Sequence, residues 1–123
     1  MIHKNKVYYL PDCDTSKRVI REASLGEDFE FHNLRKAPLA QEEIDALAAM
    51  AGSYEALFSR HARLYKERNL KNEYLNEKDY RNLLLEHYTF LKRPVVVVNG
   101  EIFIGGQEKV INQLITSLEN RHG

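Results

Sequence analysis

The chain has 123 residues, 43% hydrophobic and 29% charged, a composition that predicts one soluble globular domain with its own core. Lys+Arg and Asp+Glu number 18 each, so no net charge draws it to nucleic acid or to a membrane surface. Cys13 is the only cysteine, which excludes an intramolecular disulfide framework, and no apolar run reaches the roughly 20 residues of a membrane span. The stretch Met1-Ile2-His3-Lys4-Asn5-Lys6 lacks the apolar run and cleavage site of a secretory signal, so a cytoplasmic location is expected.

Lys6 to Leu10 is rich in strand formers and predicts a short buried strand. A turn at Pro11-Asp12 leads to Cys13, and a helix is expected from about Asp14 to Ala23, stopped at Leu25-Gly26 with the glycine as left-handed cap. Phe29, Phe31 and Leu34 alternate with Glu30 and His32, the period of a second strand. Strand, helix and strand with short links make a βαβ unit, so these two strands are predicted to run parallel.

The middle of the chain reads as helical. Pro38 fits a helix start, Ile44, Leu47, Ala48 and Ala51 recur at helical spacing, and Gly52 ends that helix. Ser53 can cap the next, whose stripe is Leu57, His61, Leu64, Tyr65 and Arg68. Asn76 and Asp79 form a capping-box variant, with Leu75 and Tyr80 at the staple positions; Leu83, Leu84 and His87 continue that face until it fades near Tyr88. Val95 to Val98, Asn99-Gly100 and Glu101 to Ile104 predict a β-hairpin with a two-residue type I′ turn. Gly105-Gly106 breaks the second strand, and Val110, Ile111, Leu114, Ile115 and Leu118 mark one side of a last helix. A parallel βαβ unit followed by an antiparallel ββα unit is the thioredoxin-like α/β architecture: a four-stranded mixed sheet in a single domain of residues 1–123, with a helical insertion over about residues 38–90.

Cys13 precedes a helix, where unpaired N–H groups converge and favour thiolate over thiol. Asp12 and Asp14 act against that, because carboxylates beside a thiol oppose its ionisation. In thioredoxin-like folds a cis-proline at the place of Pro94 faces the reactive cysteine, and the order of elements favours cis here over a trans proline that merely starts a strand. Lys17, Arg18, Arg60 and Arg93 are the cations that flank the site; Arg93 is tied to the proline loop, and an arginine fork suits a tetrahedral oxyanion. The alternative for each is a solvated surface charge. Val19 stands where a Cys-x5-Arg phosphate loop needs arginine, and Ser16 stands where a Cys-x-x-Cys dithiol needs its second cysteine. Any redox cycle therefore needs an external thiol such as glutathione or glutaredoxin, or a second chain. His3, His32, His61, His87 and His122 show no metal-ligand spacing, so no metal is expected; His61 and His87 lie on apolar stripes and are expected in the core.

Over nearly its whole length the chain resembles the glutaredoxin-dependent arsenate reductase family, which also contains the Spx-type transcription regulators. The resemblance is carried by Tyr9 through Lys17, by Leu57-Phe58-Ser59-Arg60 with Tyr65-Lys66, and by Leu91-Lys92-Arg93-Pro94 with the four valines. It implies a cytoplasmic oxidoreductase with no bound cofactor. By that resemblance Cys13 is expected to attack the oxyanion, Arg93 and Arg60 to hold it, and Ser16, Lys17 and Pro94 to support the site. Glutathione, as co-substrate, attacks the covalent adduct, and glutaredoxin resolves the mixed disulfide. Arg60 matches the arginine common in the wider family, whereas against the arsenate reductases themselves Ser59 falls in that place. Those reductases carry a third arginine where this chain has Gly105, a loss of roughly 1.5–3 kcal/mol of oxyanion binding. Cys13-Asp14-Thr15 resembles a branch proposed to act as glutathione-dependent thiol reductases, so a disulfide is an alternative substrate. An Spx-like binding module contacting RNA polymerase is the alternative function, although Ser16 removes the dithiol switch usual in those regulators.

Overall fold

The computed structural model describes residues 5–121, so the N-terminal Met1 to Lys4, with His3, and also His122 lie outside the described residues. Pro38–Lys92 form one compact unit, and the described residues on either side of it in the chain form the other.

The second of these units carries the sheet. Strand β1 (Lys6–Tyr9) pairs in parallel with β2 (Glu30–Asn33), Val7 opposite Phe31. On its other side β1 pairs antiparallel with β3 (Val95–Val98), which pairs antiparallel with β4 (Glu101–Ile104), giving the order β2-β1-β3-β4. Helix α1 (Asp14–Glu22) connects the parallel pair, and α5 (Glu108–Arg121) follows the hairpin. This is the thioredoxin-like α/β fold anticipated from the order of elements. Val7, Val96, Val98 and Phe103 face one core with Val19 of α1 and Ile111 and Leu114 of α5. Val95 and Val97 are buried as well, so β3 is covered on both sides, which is why it reads as an unbroken apolar run rather than an alternating one. Asn99 (φ 49°) and Gly100 (φ 80°) both take positive φ, as a type I′ turn requires.

Two local expectations are corrected in this unit. Helix α1 ends in a Schellman motif centred on Ser24, not on Gly26: Ser24 takes φ 53°, its N–H reaches Arg21 O at 3.1 Å, and Leu25 N–H reaches Ile20 O at 3.0 Å. The reversal turns Leu25 into the core against Ile20, and that burial offsets the cost of a left-handed serine. In the edge strand β2, Phe29 and Leu34 just outside its ends are buried, while Phe31 stays 39% exposed with its ring edge-on to Tyr9 at 5.7 Å.

In the helical unit, α2 (Gln41–Ala51) ends on Gly52 at φ 98°, as anticipated. The stripe from Leu57 to Arg68 does not form one helix. A 3-10 turn (Glu55–Leu57), capped by Ser53 Oγ accepting from Ala56 N–H at 3.0 Å, gives way to a bridge between Phe58 and Leu91. Ser59 N–H donates to Phe90 O at 2.7 Å and Lys92 N–H to Leu57 O at 2.8 Å. Only Arg63–Glu67 then winds into a short helix, α3. The bridge is held by Phe58, fully buried and stacked on Phe90 at 5.4 Å, so long-range pairing takes the backbone groups a helix would have used. His61 is exposed, contrary to its place on the stripe. His87 is half-buried, and its Nδ1 accepts from Thr89 N–H at 3.0 Å to cap the turn after α4 (Glu77–Glu86). That helix starts with the anticipated capping box, Asn76 and Asp79 each accepting the other's N–H at 3.0 Å. Among the described residues no helix is long and apolar enough to cross a membrane.

Candidate active site

Strand β1 hands the chain to a tight turn in which Cys13 N–H bonds Leu10 O at 3.2 Å. Cys13 is the N-cap of α1, extended at φ −93° and ψ 116°, and its carbonyl accepts the first helical bond, from Lys17 N–H at 3.0 Å. The half-buried sulfur thus stands at the positive end of the helix.

Ser16, one turn along, is fully buried, and its Oγ accepts from Leu10 N–H at 3.5 Å. A hydroxyl that accepts there still has its own proton to donate. Burial pushes the Cys13 thiol up, but the hydroxyl and N–H of Ser16 and the guanidinium of Arg93 outweigh it, and the thiol lies below its ordinary value of about 9. Thiolate is the reactive form, so this arrangement raises the nucleophile's population near neutral pH.

Arg93 enters from the loop before β3. The Arg93-Pro94 peptide is cis, as the element order favoured. Pro94 is buried, and its carbonyl accepts Gly105 N–H at 2.8 Å, tying the loop to the end of β4. Gly105 takes φ 81°, and a Cβ there would meet nothing within 4 Å.

Cys13, Ser16, Arg93 and Pro94 are therefore brought together within the sheet unit. Lys17 lies on α1 with its side chain exposed. Arg18 is committed elsewhere: its Nη2 donates to Gly106 O, and Nη1 stands 3.7 Å from Glu22. Arg60 belongs to the helical unit, where its Nη2 donates to Glu55 Oε2 at 2.7 Å and to Tyr80 Oη at 2.9 Å. The 830 Å³ groove along β4 and α5, lined in part by Glu101, Glu108 and Asn112, includes none of the cysteine's neighbours.

Two residues, Arg35 and Gly106, have roles near Cys13 that no local sequence pattern signals. Arg35 forms an ion pair with Asp12 at 3.0 Å, holding that carboxyl below the usual carboxylate range. Gly106 packs so tightly on α1 that a Cβ would collide with Thr15 Cγ2 and lie 3.3 Å from Arg18 Nη2. Its glycine-glycine context signalled only the end of a strand; which helix it meets is a matter of tertiary packing.

The chain is similar to known proteins in sequence and in fold. Arsenate reductases from Acidiphilium multivorum and Escherichia coli K12 are each 27% identical over 93 residues, covering 74% of this chain and 66% of the relative. The chain thus spans just under two thirds of the length of these curated relatives. The structure of an arsenate reductase from Vibrio cholerae superposes with a TM-score of 0.73 at 22% identity, over 94% of this chain and 98% of that one, and shares its fold. The ArsC family model matches residues 8–114, which include Cys13, Ser16, Arg93 and Pro94, and the chain belongs to the ArsC family.

Proposed function

We propose that the protein is a cysteine-dependent oxidoreductase of the arsenate reductase type. The observation that carries this reading is the half-buried Cys13 at the start of α1, with its thiol lowered by Ser16 and Arg93 beside the cis Arg93-Pro94 peptide. The Cys13 thiolate attacks the arsenic of an oxyanion such as arsenate, forming an S–As bond as one oxygen leaves as water, or attacks the sulfur of a mixed disulfide, breaking its S–S bond and releasing the other thiolate. Arg93 holds the anionic substrate with its planar fork of donors. Because Cys13 is the only cysteine, its release needs an external thiol. Glutathione fits that role with arsenate: its thiolate attacks the Cys13 sulfur of the adduct, the S–As bond breaks with its electron pair on arsenic, and As(V) leaves as As(III) as a Cys13–glutathione disulfide forms. Glutaredoxin then takes the glutathione and regenerates Cys13. The reading rests on Arg93 and leaves Arg60 with Glu55 and Tyr80.

The test is a coupled assay with glutathione, glutathione reductase and NADPH, run with arsenate in the presence of glutaredoxin and with a glutathione mixed disulfide in its absence, each read as the rate above the same mixture lacking the protein. Turnover with at least one substrate, abolished by Cys13→Ser, is the expected result. Turnover that survives Cys13→Ser would overturn the proposal.

A further inference from the structure

Asp12 is a paradox at a site that depends on a thiolate. Its carboxylate is adjacent in sequence to Cys13, in a turn that also presents the sulfur, and a negative charge there disfavours a second one. The structure contains a compensating device. Arg35 Nη2 meets Asp12 Oδ1 at 3.0 Å, and Arg35 is not loosely held. After β2, Asn33 Oδ1 accepts the N–H of Arg35 at 3.0 Å and that of Lys36 at 3.4 Å, and Asn33 O accepts Ala37 N–H at 3.0 Å. His32 Nε2 bonds Ala37 O, closing the same loop. Leu34 N–H bonds Tyr9 O at 3.0 Å, so the loop is pinned to the strand that leads into the cysteine turn. The Asx turn thus fixes the backbone that launches Arg35.

We infer that Arg35 is a positioning residue that acts on Cys13 through Asp12: its ion pair cancels the carboxylate charge beside the sulfur. The inference rests on reading Cys13 as the nucleophile and adds a residue that acts through Asp12. Lys17 also acts on Asp12, and Asp14 opens the helix as an exposed carboxylate, while Ser16 and Arg93 face the sulfur directly. Arg35 therefore tunes a balance that these groups set. Because both partners are about half exposed, the effect is modest and screened by salt.

The test is the rate of Cys13 alkylation by iodoacetamide against pH, at low and high salt, in the full chain. No substrate is needed, so the result is independent of whether arsenate or a disulfide is turned over. A wild-type profile with an ordinary thiol midpoint would count against the function proposed above, whereas a lowered midpoint unmoved by Arg35 would count against this inference alone. Arg35→Ala is expected to slow alkylation at pH 7 by about two- to fivefold and move the midpoint upward, with a smaller effect in high salt. Arg35→Lys is expected to recover much of the loss. Asp12→Asn alone, which keeps the side chain's size, should react at the wild-type rate or faster, and Asp12→Asn with Arg35→Ala should return to near wild type. An unchanged profile in Arg35→Ala, or a slow profile that persists in the double variant, would overturn the inference. If Arg35→Ala fails to fold, Asp12→Asn decides alone: slower alkylation than wild type overturns it.

Discussion

Gly106 and Thr15 lie in such close contact that no side chain fits between the loop after β4 and the first turn of α1. The same glycine's carbonyl accepts from Arg18, so one residue both approaches the cysteine helix and is tied to it. Gly106→Ala should force Thr15 and the helix start to move. The expected cost is about 1–3 kcal/mol in denaturant unfolding, together with slower Cys13 alkylation. Thr15→Ser removes the methyl that the new Cβ would strike. Adding it to Gly106→Ala should recover most of both losses, and no recovery would show that the helix start is insensitive to this contact.

Ser16 gives the Cys13 thiolate a hydroxyl donor while accepting from Leu10 N–H. Ser16→Ala should shift the alkylation midpoint upward and leave the Leu10 N–H without its acceptor. The sign of the linked stability effect follows from the lowered thiol. A folded-state value below the unfolded value of about 9 adds stability that is complete above the unfolded value and lost as pH falls through the folded one. The stability of wild type over Cys13→Ser should therefore increase as pH is raised to about 9 and then level off. Denaturant melts at several pH values measure it, and a difference that shrinks with rising pH would contradict the lowered thiol.

How much of this was legible in the sequence depends on how far each cause reaches. Asn99-Gly100, Asn76 with Asp79, and Gly52 act within a few residues, and each does what local chemistry predicts. The cis Arg93-Pro94 peptide is anticipated only because the order of elements matches a thioredoxin-like fold, in which a cis-proline at this place faces the reactive cysteine. The break after Leu57 was illegible because its cause is Leu91, distant in the chain, whose backbone takes Phe58 as a bridge partner. Ser24 in place of Gly26 followed from the core's demand for Leu25, which outweighs a residue-level preference for glycine. The Asp12–Arg35 pair was hidden for the same reason: parallel pairing of β1 with β2 brings two surface charges together that no spacing rule connects.

Arg93 supplies the cation nearest in kind to an oxyanion site, and its geometry matters as much as its charge. Arg93→Ala should weaken binding of arsenate, or of sulfate as its unreactive analogue, by about ten- to a hundredfold in calorimetry. It should also raise the alkylation midpoint, because Arg93 is among the groups that lower it. Arg93→Lys keeps the charge without the planar fork, so it should restore the midpoint better than the anion affinity. Equal recovery of both would mean that only charge is used.

Within the helical unit, Asp45 is held by Arg81 through paired contacts of 2.8 and 3.1 Å and by the Tyr54 hydroxyl at 2.7 Å. Its carboxyl is pulled down to about 2, chiefly by the bond from Arg81. The resulting stability is present above the unfolded carboxylate value of about 3.8 and lost as pH falls through about 2. Asp45→Asn should lower Tm at neutral pH, and the gap to wild type should close over that acid window. A gap that stays constant from neutral pH to pH 2 would show that the carboxylate's charge is not what stabilises the unit.

Gly105 stands where the resemblance puts a third arginine of the arsenate reductases, so substitution there tests the two proposed substrates against each other. Its open surroundings leave space for a side chain, but its φ of 81° penalises any residue with a Cβ by about 1–2 kcal/mol. Gly105→Arg therefore carries two separable effects. The backbone effect is a loss of stability, which Gly105→Ala reports alone. The charge effect, if arsenate is the substrate, is tighter binding by about ten- to a hundredfold, the gain expected from one more charge-assisted contact. KM for arsenate, compared among wild type, Gly105→Ala and Gly105→Arg, isolates the second effect from the first. A stability loss shared by both variants with no improvement in arsenate KM would count against arsenate as the substrate.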